Sequence, residues 1–248
     1  AKENTAVCQS QFGKNQLISH AGIIRGDTTK KKIALVFTAD EFDDGGGSIL
    51  KTLQEQHVHG SFFFTGNFYR NASFNTIIKK LKRNGNDLGS HSDKHLLYCD
   101  WGKRDSLLVT KQQFKEDLNN AYSKLKHWNI EKDKAHYFLP PYEWYNDSIA
   151  AWTKEMGLKL VNFSPGTRSN ADYTYPEMGN KYVRSDAIMK SILDYERTAN
   201  NGLNGFILLS HFGTDPRRTD KFYHLLPVLI KELKMRGYQF VRVDELLN

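Results

Sequence analysis

Two histidines four residues apart, in His91-Ser92-Asp93-Lys94-His95, fall on one face of a helical turn, where two neutral imidazoles can share a single cation. The residue after the first histidine is Ser92, whereas a thermolysin-type site carries its Glu base there. A base for a metal-activated water must therefore come from another part of the chain. The segment Asp40-Glu41-Phe42-Asp43-Asp44 offers one carboxylate for the ion and another for the water. Two histidines and one carboxylate leave open positions on an ion, as hydrolytic chemistry requires. A further histidine, His211, closes the apolar run Phe206 to Ser210. An acid beside it, for which Asp172 is the candidate, would raise its pKa and keep it protonated as a general acid.

These residues need a scaffold that brings distant segments to one place, and the hydrophobic pattern supplies one. Short apolar runs read as buried strands at 32–38, 61–64, 87–90, 135–138, 158–163, 206–209 and 239–243. Between them, 3.6-residue periodicity marks helices at 48–56, around 77–81, and at 111–128, 146–157, 186–195 and 225–236, several of them stopped by Gly or Asn-Gly. Seven strands alternating with helices, with no Pro/Gly/Ser linker, predict one α/β domain built on a parallel sheet. A doubly wound nucleotide-binding sheet would carry a glycine-rich loop after its first strand; here four acids stand there and would repel a phosphate. A TIM-like barrel fits better, because its chemistry sits on the loops beyond the strand C-termini. Those loops hold Asp40 to Asp44, His91 and His95, Pro140-Pro141-Tyr142, Arg168 and Asp172, and His211.

Composition narrows the partners. The 248 residues carry 35 Lys and Arg against 28 Asp and Glu, a net charge of +7. The basic residues are dispersed, the one tight run (Lys30-Lys31-Lys32) flanks a strand, and no nucleic-acid-binding signature accompanies them, so no nucleic acid is expected. No stretch approaches the roughly 20 apolar residues of a membrane-spanning helix. Cys8 and Cys99 form neither a disulfide framework nor a CxxC motif. No basic-then-apolar leader is present at Ala1, so an export signal is not expected within these residues.

Taken in order, the motifs resemble the polysaccharide deacetylase family (carbohydrate esterase family 4, the chitooligosaccharide deacetylase homology domain) from about Gly22 to Leu247. The family's Thr-Phe-Asp-Asp is similar to Thr38-Ala39-Asp40-Glu41, or less well to Phe42-Asp43-Asp44-Gly45. His-Ser/Thr-x-x-His is matched by His91 to His95, Arg-Pro-Pro-Tyr by Leu139-Pro140-Pro141-Tyr142, Asp-Trp by Asp172-Tyr173, and Leu-x-His by Leu209-Ser210-His211. The resemblance implies a distorted TIM-like (β/α)7 barrel, with residues 1–21 an N-terminal extension and residues 22–248 one catalytic domain. It implies Zn2+, or another divalent ion such as Co2+ or Ni2+, on His91, His95 and Glu41, with Asp44 the alternative carboxylate. It makes Asp40 the base, His211 oriented by Asp172 the acid, and the backbone N–H of Tyr142 an oxyanion donor. Leu209 would wall the acetyl methyl, while Trp101, Trp144, Tyr145 and Tyr175 offer faces for sugar rings. Leu139 stands where the family has an arginine that holds the base, and Arg168 is the candidate substitute. The implied reaction is removal of acetyl groups from an N-acetylated polysaccharide of peptidoglycan or chitin type, outside the cytoplasm. The alternatives are an O-acetyl esterase on xylan-type glycans and a carbohydrate-binding protein on a decayed scaffold.

Overall fold

The computed structural model describes Gly13 and residues 15–248; Cys8 lies outside the described residues. The strands are β1 (Leu17–Ser19), β2 (Gly22–Arg25), β3 (Lys32–Ala39), β4 (Ser61–Phe64), β5 (Asp87–Ser90), β6 (Tyr137–Phe138), β7 (Lys159–Leu160), β8 (Phe206–His211) and β9 (Gln239–Phe240). The helices are α1 (Gly46–Glu55), α2 (Gly66–Arg70), α3 (Asn75–Arg83), α4 (Lys111–His127), α5 (Asp147–Glu155), α6 (Ser185–Thr198), α7 (Leu226–Met235) and α8 (Val243–Leu246). The strands join one sheet in the order β1-β2-β8-β3-β4-β5-β6-β7, with β9 pairing the start of β3. From β8 to β7 every pairing is parallel. The sheet curls until β2 meets the chain just past β7, through the Ile23–Val161 bridge and an Asn162 N–H donated to the Ile23 carbonyl at 2.9 Å. The architecture is the expected distorted, TIM-like (β/α)7 barrel as a single α/β domain.

Strand period 2 sorts the side chains into two cores. On β3, Ile33, Leu35 and Phe37 face the surrounding helices, while Ala34 and Val36 face the barrel interior with Phe63, Ile207 and Leu209. Burial on both faces is what makes β3, β4 and β8 read as unbroken apolar runs. The helices close the outer core with apolar stripes, such as Phe114, Leu118, Tyr122 and Leu125 of α4, which starts on a Thr110–Gln113 capping box. Phe62, Phe64, Phe68 and Phe212 bury completely and pack ring on ring, each worth about 1.5–3 kcal/mol of burial. Phe212 thus pins the chain directly after His211.

Three departures from the sequence expectations have local causes. The hairpin β1–β2 is antiparallel and lies outside the alternating pattern; its Leu17–Ser19 strand falls within the stretch read as an extension. The expected strand 239–243 ends at Phe240, and α8 follows: its Val243 N–H is taken by Ser61 Oγ at 2.9 Å, and Val243 and Leu246 plug the inner core from below. Helix α2 is too short to show a helical period, although Thr65 is a standard N-cap and accepts the Phe68 N–H at 3.2 Å.

Candidate active site

The C-terminal ends of the parallel strands share one rim, and the residues beyond them line a cleft of about 530 Å3. Asp40 and Glu41 follow β3, His91 and His95 follow β5, Tyr142 and Glu143 follow β6, and His211 ends β8. The β3 and β8 loops touch main chain to main chain. Gly45 N–H donates to the Phe212 carbonyl at 3.1 Å, and a Cβ on Gly213 would stand 2.3 Å from the Phe42 backbone, so only glycine allows the contact.

The histidine pair sits on an irregular loop, not on the expected helical turn: Ser92 and His95 have φ of 75° and 55°. The rings nevertheless meet, with centroids 5.0 Å apart. His91 is 2% exposed, and its Nδ1 lies 2.8 Å from the Leu139 carbonyl, so Nδ1 carries the proton and Nε2 keeps its lone pair. Burial holds His91 well below the usual imidazole pKa, helped by the neighbouring His95. Burial also lowers His95, against an opposing pull from Asp40. Both rings are therefore neutral. Asp117 of α4 anchors the loop beneath them: its carboxylate accepts the N–H groups of Asp93 and Lys94 at 3.2 and 3.1 Å and the Tyr98 hydroxyl at 2.9 Å.

Asp40 is positioned through one oxygen. Its Oδ1 accepts Thr65 Oγ1 at 2.7 Å and Asn67 Nδ2 at 3.1 Å, both from the α2 turn. That turn also receives the histidine loop, since Gly66 N–H and Asn67 N–H donate to the Ser92 and Asp93 carbonyls and Arg70 pairs with Asp93. His211 is gripped twice by Asp172: Oδ1 lies 2.6 Å from Nδ1, and Oδ2 accepts the His211 N–H at 2.8 Å. Burial alone would lower His211, but the Asp172 charge and hydrogen bond outweigh it and carry the pKa up.

Glu143 joins the site without having been a candidate from the sequence. It follows Tyr142 in the Pro140-Pro141 loop; both residues are left-handed, with φ of 59° and 53°, and this turns the Glu143 carboxyl into the cleft. Its Oε1 lies 3.7 Å from His91 Nε2, and burial pushes its pKa up to about 7. The one signal for it is adjacency: it is an acid one step beyond a motif tyrosine on the same rim.

Several residues assigned to the site from their sequence positions fall elsewhere in the fold. Asp44 is turned away from the cleft and held by Lys221 at 2.9 Å, the Thr214 N–H and the Tyr223 hydroxyl. Arg168 is exposed outside the cleft, so Asp40 is held by Thr65 and Asn67 and not by a substitute arginine. Leu209 belongs to the inner core beneath the cleft. Tyr145 is 1% exposed, with its hydroxyl on the Ser19 carbonyl at 2.8 Å. Trp144 stands behind Trp101, donates to the Asp100 carbonyl at 3.1 Å and carries the Arg104 guanidinium on its ring. The aromatic side chains that line the cleft are Phe42, Trp101, Tyr142, Tyr173 and Tyr175. Glu41 reaches the cleft on an exposed stretch of chain.

Among the described residues, no three His, Cys, Asp or Glu side chains converge tightly enough to clasp an ion as they stand. The donor chemistry nonetheless suits a divalent cation. The His91 Nδ1–carbonyl bond is of the kind that orients a metal-binding imidazole, and neutral rings with nearby carboxylates match zinc's preferences.

Residues 25–161 match the family model for polysaccharide deacetylase. The chain is 29% identical over 228 residues to a peptidoglycan-N-acetylglucosamine deacetylase of Listeria monocytogenes, covering 88% of this chain and 39% of that protein. It is 25% identical over 223 residues to the peptidoglycan-N-acetylmuramic acid deacetylase of Bacillus subtilis, covering 90% and 73%. A family 4 carbohydrate esterase pseudoenzyme from Bacillus anthracis shares the fold at a TM-score of 0.70 and 18% identity, covering 93% of this chain and 70% of that one.

Proposed function

Since the chain belongs to the polysaccharide deacetylase family, we propose that it hydrolyses acetamido groups of an N-acetylated polysaccharide of the peptidoglycan or chitin type. One observation carries this reading: two neutral imidazoles, a carboxylate held by one oxygen only, and an acid-paired histidine face the same cleft. Amide hydrolysis needs a base for the water and an acid for the departing amine, and these groups divide into those roles.

A zinc ion, or Co2+ or Ni2+, on His91, His95 and a cleft carboxylate would polarise the acetyl carbonyl and acidify a water. Asp40 takes the proton of the attacking water on Oδ2, because Thr65 and Asn67 occupy Oδ1. The water oxygen bonds to the acetyl carbon, and the Tyr142 N–H donates to the developing oxyanion. As the carbon–nitrogen bond breaks, protonated His211 delivers its Nε2 proton to the sugar nitrogen, releasing acetate and a free amine. Trp101, Tyr173 and Tyr175 offer rings on which sugar faces stack. Against the alternative of a decayed scaffold, the Thr65 and Asn67 bonds to Asp40 support a base that is held without the motif arginine. A polymer of this kind lies outside the cytoplasm, and among the described residues no helix is long and apolar enough to cross a membrane.

The test is acetate release by zinc-loaded protein from chitooligosaccharides, peptidoglycan and acetylated xylan. Release is expected from the amide substrates, with Asp40→Asn losing about 10²–10⁴-fold in turnover while keeping its metal. Release from acetylated xylan alone would overturn the assignment in favour of an O-acetyl esterase.

A further inference from the structure

We propose that Glu143, and not Glu41, supplies the carboxylate that completes the cation site with His91 and His95. This rests on the metal-dependent reading above.

The first argument is spacing. The 3.7 Å between His91 Nε2 and Glu143 Oε1 is too long for a hydrogen bond, which spans about 2.7–3.2 Å. Two ligands each about 2.1 Å from one zinc ion stand about 3.4 Å apart in a tetrahedral arrangement and never more than about 4.2 Å. The 3.7 Å separation falls within that range, so a small adjustment would set the two atoms as co-ligands. His95, its ring beside that of His91, is the third donor.

The second argument is how Glu143 is held. The loop that carries it also fixes His91, through the Leu139 carbonyl on Nδ1. Glu143 is tied by its own main chain: its N–H donates to Pro140, and its carbonyl accepts Asn162 Nδ2 at 2.8 Å. Two consecutive non-glycine residues in the left-handed region cost about 1–3 kcal/mol each, a strain that the fold tolerates to aim this carboxylate inward. Its side chain is 12% exposed, and among the described residues no hydrogen-bond donor reaches its carboxylate. A carboxylate so placed is costly unless a cation meets it.

The third argument is elimination. Asp44 is engaged by Lys221, Thr214 and Tyr223, and Asp40 by Thr65 and Asn67. Glu41 is exposed, and among the described residues it makes no ion pair with either imidazole.

The experiment strips the whole chain with a chelator and titrates Zn2+ against a chromophoric competitor. Outer contacts of a metal site are worth about 10–100-fold in affinity, so loss of a ligand should exceed that range. Glu143→Gln and His95→Ala are each expected to weaken zinc binding by more than about 100-fold, and Glu41→Gln by less than about 10-fold. If Glu41→Gln costs the larger factor and Glu143→Gln the smaller, the proposal falls while the metal site stands. If the wild-type protein takes up no zinc, the metal-dependent reading falls as well. Should Glu143→Gln fail to fold, the Co2+ absorption spectrum of Glu143→Asp decides: a changed spectrum supports ligation, and one identical to wild type overturns it.

Discussion

Replacing Asp172 with Asn tests the acid assignment most directly, because it removes the charge next to His211 and little else. The 2.6 Å contact between Oδ1 and Nδ1 places the two charge centres roughly 4 Å apart, where opposite charges attract by about 4 kcal/mol at an effective dielectric of 20. Asn retains part of the hydrogen bonding but not the charge, so the His211 pKa is expected to fall once the Asp172 charge no longer outweighs burial. With His211 as the proposed acid, turnover needs it protonated, so the basic limb of the kcat profile should move to lower pH. At a pH above both limbs the variant then turns over about 10–1000-fold more slowly. Stability carries the same signature. His211 holds its proton more tightly folded than unfolded, so its pairing stabilises the fold fully below about pH 6.5, and that contribution disappears as the pH rises through the raised folded value. The Tm gap between wild type and variant should be widest near about pH 6 and narrow in alkali. Acetate release and thermal melts across pH read both effects. A basic limb that stays in place while the Tm gap appears would show that His211 is structural and that another group protonates the amine.

Two further outcomes follow from the supports of the site. Asn67→Ala removes one of the two donors on Asp40 Oδ1 without touching the Thr65 cap of α2, and should lower kcat about 10–100-fold at unchanged zinc content; an unchanged kcat would mean that Thr65 alone holds the base. Asp117→Ala leaves two N–H groups and a hydroxyl unanswered beneath the histidine loop. It should cost about 3 kcal/mol, about 6–12 °C in Tm, and weaken zinc binding about 10–100-fold; a melting loss at full zinc affinity would detach the loop's support from the metal site.

The central strands are legible in the sequence because β3, β4 and β8 are buried on both faces, which leaves an apolar run that alternation does not hide. The pattern is less informative where strands shrink to two residues, as in β6 and β7, or where β-branched residues such as Val241 and Val243 suggest a strand although the chain turns into α8. Asp40, His91, His95, Asp172 and His211 are readable from their places beyond strand ends. The supporting groups are not: Thr65, Asn67 and Asp117 are ordinary polar residues whose worth comes from what folding puts beside them. Glu143 is hidden differently. Side-chain direction in a left-handed pair following two prolines does not obey helical or strand periodicity, and spacing rules are silent about where such a residue points. Of the four aromatic assignments, Trp101 and Tyr175 line the cleft, whereas Tyr145 and Trp144 miss it for the converse reason: they have loop positions but spend their polar atoms on backbone carbonyls.

The contact between Gly213 and Phe42 makes the loop after β3 and the loop after β8 a mechanical unit. Neither segment can be lengthened, shortened or exchanged for a homologous one by itself, so grafting a new specificity onto this scaffold would require moving both together. The rings of Trp101, Tyr173 and Tyr175 line the cleft outside that contact, so substitutions there should alter what the cleft accepts while leaving both loops in place.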